Sequence, residues 1–439
     1  MQGKKLVVLA VLLISLFLVL FGCSGNKEVQ SGNNDGASEV NSNDKEVIEL
    51  TLWNTWADEA AEAATSIKRV EDFNNSQDEI NIVLEMTPHD QYKTKLKTQA
   101  AGKQLPELIQ VWPGAELEPL ATGGVLKSID SIKDNWEGLI PDSVLDDYAY
   151  DGVQYAIPGN ISFTSLIYYD QDMIQEAGFS EFPENYEEFK ELVTNLKDEG
   201  YTPIQLGNKA QWVLQSSYIS TIADRITGSD YLKDVLSGNA KFTDKEFVDS
   251  LSVIDELTKM GAFNEDMNTL DDIQSREQFF QGDAAMHIAG SWIVTPLIEG
   301  ISDNKNIGVA IFPEIAGGKG DPLKVSGVSS VGIALNADLT EEQEKAAHEF
   351  LKYFYSEDQY KEWVSDGLMV AADIEVPDDV HEIVKEVISV TSNGIAPVYD
   401  GVLPPTLTSI INNGLQAITT GSMTPEQLAE EMQNELDNQ

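Results

Sequence analysis

From Val47 to the end of the chain, short stretches with a period of two alternate with longer ones of period near 3.6, and this alternation restricts the accessible folds more than any other feature. Val47–Trp56 (VIELTLWNTW), Ile80–Met86 (INIVLEM) and Glu107–Trp112 (ELIQVW) read as strands. Between them Ala60, Ala64, Ile67, Val70 and Phe73, then Tyr92, Leu96 and Ala100, fall three or four apart, as one face of a helix does. Strand–helix–strand order of this kind builds a mainly parallel sheet covered by helices. Asp151-Gly152, between Tyr148–Tyr150 and Val153–Ile157, predicts a hairpin turn. Pro158-Gly159-Asn160 follows, and a second strand–helix series begins at Ser165–Tyr169. Asn185 with Glu188, and Thr243 with Glu246, predict capping boxes for helices 186–199 and 244–259, the latter with a buried stripe of Phe247, Leu251, Ile254 and Leu257. Two such series joined through a Pro-Gly stretch predict two lobes facing across a cleft, and open α/β sheets take ligands at the carboxyl ends of their strands.

The first 46 residues differ in character. Lys4 and Lys5 precede an apolar run, Leu6–Phe21, broken only by Ser15 and ending at Gly22-Cys23. That is the order of a signal peptide; at about sixteen residues the run falls short of the roughly 20 that span a bilayer. Leu20-Phe21-Gly22-Cys23 resembles the lipobox of bacterial lipoproteins, which implies that the Cys23 thiol carries a diacylglycerol and heads the mature chain. Residues 24–46 are rich in Ser, Asn, Gly, Asp and Glu, too polar to offset ordering entropy, and are expected to form a flexible tether.

Composition excludes several classes of function. The 439 residues carry 28 Lys and Arg against 74 Asp and Glu, a formal net charge of −46, which would repel nucleic acid. With 42% hydrophobic residues the chain has material for a large core nonetheless. Cys23 is the only cysteine, so no intramolecular disulfide, CxxC centre or Cys-rich zinc site can form, and four histidines leave little for a His-based metal site. Gly317-Gly318-Lys319-Gly320 lacks the spacing and hydroxyl of a phosphate-binding loop; no G-x-S-x-G elbow occurs, and His381-Glu382 lacks the second histidine of a zinc-protease helix. A catalytic carboxylate pair of the glycosidase kind stays open, since 74 acids create many chance pairs.

The tryptophans carry more information. Trp363, grouped with Phe350, Phe354 and Tyr360, and Trp136 read as core. Trp56, Trp112 and Trp292 each stand where a strand gives way to a loop, and Trp212 follows the strand Pro203–Leu206 and the loop Gly207-Asn208-Lys209. Aromatic faces at those positions suit a sugar, whose C–H bonds form an apolar face while its hydroxyls require polar partners.

Phe279–Trp292 (FFQGDAAMHIAGSW) resembles the F-x-x-G-x-A-A-M-x-x-x-G-x-W signature of extracellular solute-binding proteins of carbohydrate ABC importers. Ala100–Glu107, Tyr155–Pro158 followed by Leu166–Asp170, and Ala347–Tyr353 are similar to further segments of that family in the same order, with Glu107 and Asp170 replacing the usual Asp and Asn. Val398–Pro405 and Thr420–Glu426 resemble the tail of the raffinose-type and multiple-sugar-binding subgroup, with Tyr399 where relatives often carry Trp. The resemblance implies an α/β, two-lobe periplasmic-binding-protein-like fold with a hinge and an interlobe ligand cleft. The expected divisions are a lipoprotein signal peptide over 1–22, a tether over 23–46, a first lobe over 47–157, a second over 158–302, a return to the first over 303–338, and a C-terminal helical part of the second over 339–439.

It also implies a monomeric, lipid-anchored binding protein on the extracellular face of the membrane, neither an enzyme nor dependent on cofactor or metal. Such a protein captures an oligosaccharide by lobe closure and passes it to ABC permease subunits. Asn54, Trp56 and Trp112 from the first lobe, Trp212, Trp292 and Asp400 from the second, and Asn160 near the crossover are the expected sugar contacts; Trp292 is the stacking aromatic and Asp400 the partner of terminal-sugar hydroxyls. An extracellular glycosidase, a surface adhesin, and a binding protein for a peptide or polyol remain as alternatives.

Overall fold

A computed structural model of the chain describes residues 47–57, 61–301, 305–378 and 380–438. The expected leader and tether over 1–46, Cys23 included, lie outside the described residues. In chain order the strands are β1 (Ile48–Asn54), β2 (Ile80–Met86), β3 (Leu108–Val111), β4 (Leu126–Lys127), β5 (Ala149–Tyr150), β6 (Val153–Gln154), β7 (Ala156–Pro158), β8 (Ile161–Phe163), β9 (Leu166–Asp170), β10 (Thr202–Gln205), β11 (Ala284–Ala289), β12 (Ile307–Ile311), β13 (Val325–Ser329), β14 (Gly332–Asn336) and β15 (Ile395–Ala396). The Asp151-Gly152 hairpin forms between β5 and β6, both turn residues at positive φ as a primed turn requires.

Each lobe is built on its own sheet. The first runs β2-β1-β3-β14-β4, with β7 also paired to β14; the second runs β10-β11-β9-β12. Neither is wholly parallel. β14 is antiparallel to β3, β4 and β7, and β9 is antiparallel to β11 and β12. These are the strands by which the chain enters a lobe after crossing from the other, so they arrive from the opposite end to the strands already there. Alternation along β1 and β3 divides the first lobe's core: Leu50, Leu52 and Leu108 pack with Phe350, Leu351 and Phe354, whereas Trp53 and Ile109 pack with Tyr92 and Leu96. In the second lobe, Phe189, Leu251, Leu407 and Leu428 come from four helices that share a core with Ile167 and Met286, while Phe279, Val384 and Val387 pack in a separate cluster with Leu166 and Tyr168.

The lobe boundaries differ from the sequence expectation in two places. β12 belongs to the second sheet, so the return to the first lobe begins only at β14. The helices Glu341–Phe354 and Glu357–Ser365 pack against the first sheet, not the second, because Phe350, Phe354, Tyr360 and Trp363 complete the core begun by Leu50 and Leu52. The chain therefore crosses three times. The crossings bond to one another: Ile161 N–H donates to Met369 O at 2.7 Å, Ala371 N–H to Gly159 O at 3.3 Å, and Ser330 N–H to Asn160 O at 2.8 Å.

Local signals fared unevenly. The helix Tyr186–Asp198 is capped by Asn185, whose Oδ1 accepts from Glu188 N–H at 3.0 Å. The expected Thr243–Glu246 box is absent: the helix Lys245–Met260 starts after Asp244, and Glu246 instead pairs with Lys319 at 2.8 Å. On the helix Ala61–Ser76 the buried side includes Ala63, Arg69, Val70 and Phe73, while Ala64 faces solvent. Arg69 shifts that face, stacking over Trp363 at 4.0 Å and donating to Gln359 O at 2.7 Å.

Gly159, within the hinge, has the Trp363 ring where a side chain would stand: a Cβ there would lie 2.5 Å from a ring carbon. We predict that Gly159→Ala lowers stability by about 1–3 kcal/mol through overpacking, measured as a lower urea midpoint.

Candidate functional site

Trp112, Trp212 and Trp292 follow the carboxyl ends of β3, β10 and β11 respectively, where an open α/β sheet presents its ligand-binding loops. All three are half-buried. Trp292 is carried on the turn Gly290-Ser291, and the glycine is obligatory: a Cβ at 290 would lie 1.9 Å from the Trp292 ring. Trp212 and Trp292 lie 5.8 Å apart at 59°. His89, which opens the helix His89–Ala101 of the first lobe, stands 5.7 Å from Trp212 and 5.4 Å from Trp112, edge-on to the latter. Lys93 places its ammonium 4.7 Å from the centre of the Trp112 ring. The rings Trp112, His89, Trp212 and Trp292 thus form one continuous seam from the first lobe to the second.

Carboxylates border this seam. Asp90 accepts from His89 Nδ1 at 3.3 Å, and also engages the side chain of Trp212; the His89 bond above all holds its carboxyl below the usual range. Asp272, in the first turn of the helix Asp272–Gln281, engages the Trp292 side chain, while its Oδ1 is sealed from solvent with no hydrogen-bond partner. Burial pushes its pKa up to about 6, against the nearby charge of Arg276. Asp400 lies on the short helix Tyr399–Val402, and burial raises its pKa, opposed by Lys93 of the first lobe. Lys93 in turn pairs with Glu116 at 3.5 Å.

Asp400 also bonds to Gln215, a wholly buried side chain whose Oε1 has no partner. Gln215 sits on a π-helical stretch, Leu214–Ile219, a geometry that often accompanies functional positions. Ser220 Oγ donates to Gln215 O at 2.8 Å and accepts from Tyr399 N–H at 3.1 Å, so that stretch and the Asp400 helix are bonded to each other. The lobes meet backbone to backbone nearby: at Gly114, with φ of 60°, a Cβ would lie 2.4 Å from Gly401 O.

Trp112, Trp212, Trp292 and Asp400 of the expected contacts therefore face the region between the lobes. Three others do not join them. Asn54 is wholly buried, its amide donating to Leu52 O at 3.1 Å and its Oδ1 accepting from Trp56 N–H at 3.0 Å, so it braces the turn after β1. Trp56 lies in the first lobe's core, stacked on Phe354 at 6.0 Å and 17°. Asn160 is a hinge residue, bridged to Val370. The strand-end rule that selected Trp56 cannot tell an inward from an outward side chain. Conversely, His89, Asp90, Lys93, Gln215 and Asp272 border the seam although no tryptophan pattern marks them. Thr87-Pro88-His89-Asp90, directly after β2, satisfied the same strand-end criterion. Among the described residues no group of three or more His, Cys, Asp or Glu is placed to hold a metal ion, and no helix is long and apolar enough to cross a membrane.

Two α/β lobes on a three-crossing hinge, with rings and carboxylates where they meet, define a solute-binding architecture. Residues 68–381 match the family described as bacterial extracellular solute-binding protein, and the chain belongs to that family. Membership places it with binding proteins rather than enzymes. It is 27% identical over 215 residues to a probable sugar-binding periplasmic protein of Brucella suis, a match covering 48% of this chain and 47% of that one. The chain thus spans about half the length of that relative. It is 24% identical over 295 residues to the multiple sugar-binding protein of Streptococcus mutans, covering 66% of this chain and 67% of that one. Among solved structures, a chitin oligosaccharide binding protein superposes with a TM-score of 0.83 at 24% identity, over 89% of this chain and 98% of that one, a likeness of fold.

Asp272 and His287 make opposite contributions to stability in acid. Asp272, raised to about 6, holds a proton in the folded protein that the unfolded chain releases, so its contribution falls as pH rises through 6. His287, buried with Nδ1 2.9 Å from Gln205 O, is lowered by burial to about 4; it stays neutral while the unfolded chain takes a proton, so its contribution falls as pH drops below 6.5. Asp272→Asn removes only the first effect. We expect the variant to be more stable than the parent by about 1–3 kcal/mol at pH 7 and to lose Tm more steeply between pH 6.5 and 4.5, followed by thermal denaturation.

Proposed function

We propose that this protein is a lipid-anchored receptor outside the cell that captures an oligosaccharide, raffinose-type or another short one, and delivers it to ABC permease subunits as a monomer. The observation that carries the reading is the ring seam. Half-buried aromatic faces alternate with carboxylates, and a neutral, hydroxyl-rich chain of rings matches both: its C–H faces lie on indole and its hydroxyls donate to Asp400 and the unpaired Gln215 Oε1. A buried acceptor left without a donor costs about 1–3 kcal/mol, so such a pair selects ligands that supply hydroxyls. A net charge of −46 disfavours anionic solutes. Similarity to relatives named as sugar-binding proteins supports this reading. Closure of the lobes about the three-crossing hinge then encloses the ligand.

The test is a thermal-shift screen of neutral oligosaccharides against monosaccharides, peptides and polyols. At about 100 times its dissociation constant a ligand stabilises by roughly 2.7 kcal/mol, well within detection. We expect a response confined to oligosaccharides, and Trp292→Ala to weaken calorimetric affinity for the responding sugar by about tenfold or more without loss of folding. An unchanged affinity removes Trp292 from the site. The anchor is tested separately: Cys23→Ser is expected to move the protein from the membrane to the soluble fraction.

A further inference from the structure

The two indoles of the second lobe are held in different ways. Trp292 engages Asp272, a partner within its own lobe. Trp212, which packs on the core of the second lobe, engages Asp90, which belongs to the first. Asp90 sits in the first turn of the helix His89–Ala101, whose Tyr92 and Leu96 are buried against β1 and β3, so its position is fixed by the first lobe. His89 beside it bonds to the same carboxylate and stands 5.7 Å from the Trp212 ring.

We infer that Asp90 is a positioning residue: its carboxylate takes the indole N–H of Trp212 across the cleft, so that closing the lobes itself sets the pitch of one stacking ring. An edge-on hydrogen bond orients an indole while leaving both faces open for contact. Trp292 is oriented whether the lobes are apart or together; Trp212 acquires its second constraint only when they meet. The stacking surface is then half preformed and half assembled by closure, and anything that stacks on Trp212 favours the closed form by the same free energy with which closure favours stacking. The meaning for sugar capture rests on the function proposed above, whereas the lobe-to-lobe bond does not.

Indole N–H resonances of the full chain, 15N-labelled at tryptophan and recorded without any sugar, test the bond independently of that function. Trp212→Phe and Trp292→Phe assign the two signals. In Asp90→Ala the Trp212 signal is expected to shift and its hydrogen exchange to quicken about tenfold, as for loss of a charge-assisted bond. The Trp292 signal should stay in place. Asp90→Asn, which keeps an acceptor oxygen, should return the Trp212 signal towards its original position. A Trp212 signal indifferent to Asp90→Ala, movement of both signals together, or failure of Asp90→Asn to restore the signal would each overturn the assignment. A failed sugar screen would leave this result standing.

Discussion

The three backbone crossings, hydrogen-bonded to one another at Gly159, Asn160 and Ser330, are the constraint on which everything else in the molecule depends. A single crossing would leave the lobes free to twist, and the seam rings would meet only by chance. Three bonded crossings tie the lobes together beside the seam, where His89 stands between Trp112 and Trp212. The hinge is closely packed: Trp363 lies directly against Gly159, and Tyr360 Oη donates to Pro158 O at 2.5 Å, so the helix Glu357–Ser365 braces the first crossing.

The polar groups of the seam follow from the needs of its aromatic ones. An indole has one donor, and burying it unpaired is costly. Asp90 and Asp272 engage the two second-lobe indoles, and both lie in the first turn of a helix, where the dipole favours a negative group. A carboxylate also takes an indole N–H away from the seam, where Trp53 Nε1 donates to Glu85 of β2 at 2.8 Å and Lys95 lies 3.7 Å from the ring centre. Asp272 and Asp400 are less well compensated, and burial raises both. Carboxylates held in that condition gain from any hydroxyl donor brought to them. Such a surface suits the donor-rich guest proposed above.

Much of the architecture was legible in the chain because it depends on local regularities. Period-two runs gave strands, the Asp151-Gly152 pair gave its turn, and Trp292 stood where a strand gives way to a loop. Capping was read less well. Asn185 accepts from Glu188 N–H, one half of the expected box, but the Thr243 box does not form, since Asp244 rather than Thr243 takes the cap position.

The sequence by itself determined two α/β units and the three tryptophans that follow strand ends, because residue type and spacing along one segment suffice for those. Only the tertiary structure decided which strand-end residues turn inward, sending Asn54 and Trp56 into the core, and which lobe owns β12 and the helix Glu341–Phe354. It alone brought His89 and Asp90 against Trp212 and Lys93 towards Asp400. Those contacts join residues more than a hundred positions apart and on different lobes, and no period or spacing within a segment carries information about the geometry of a hinge.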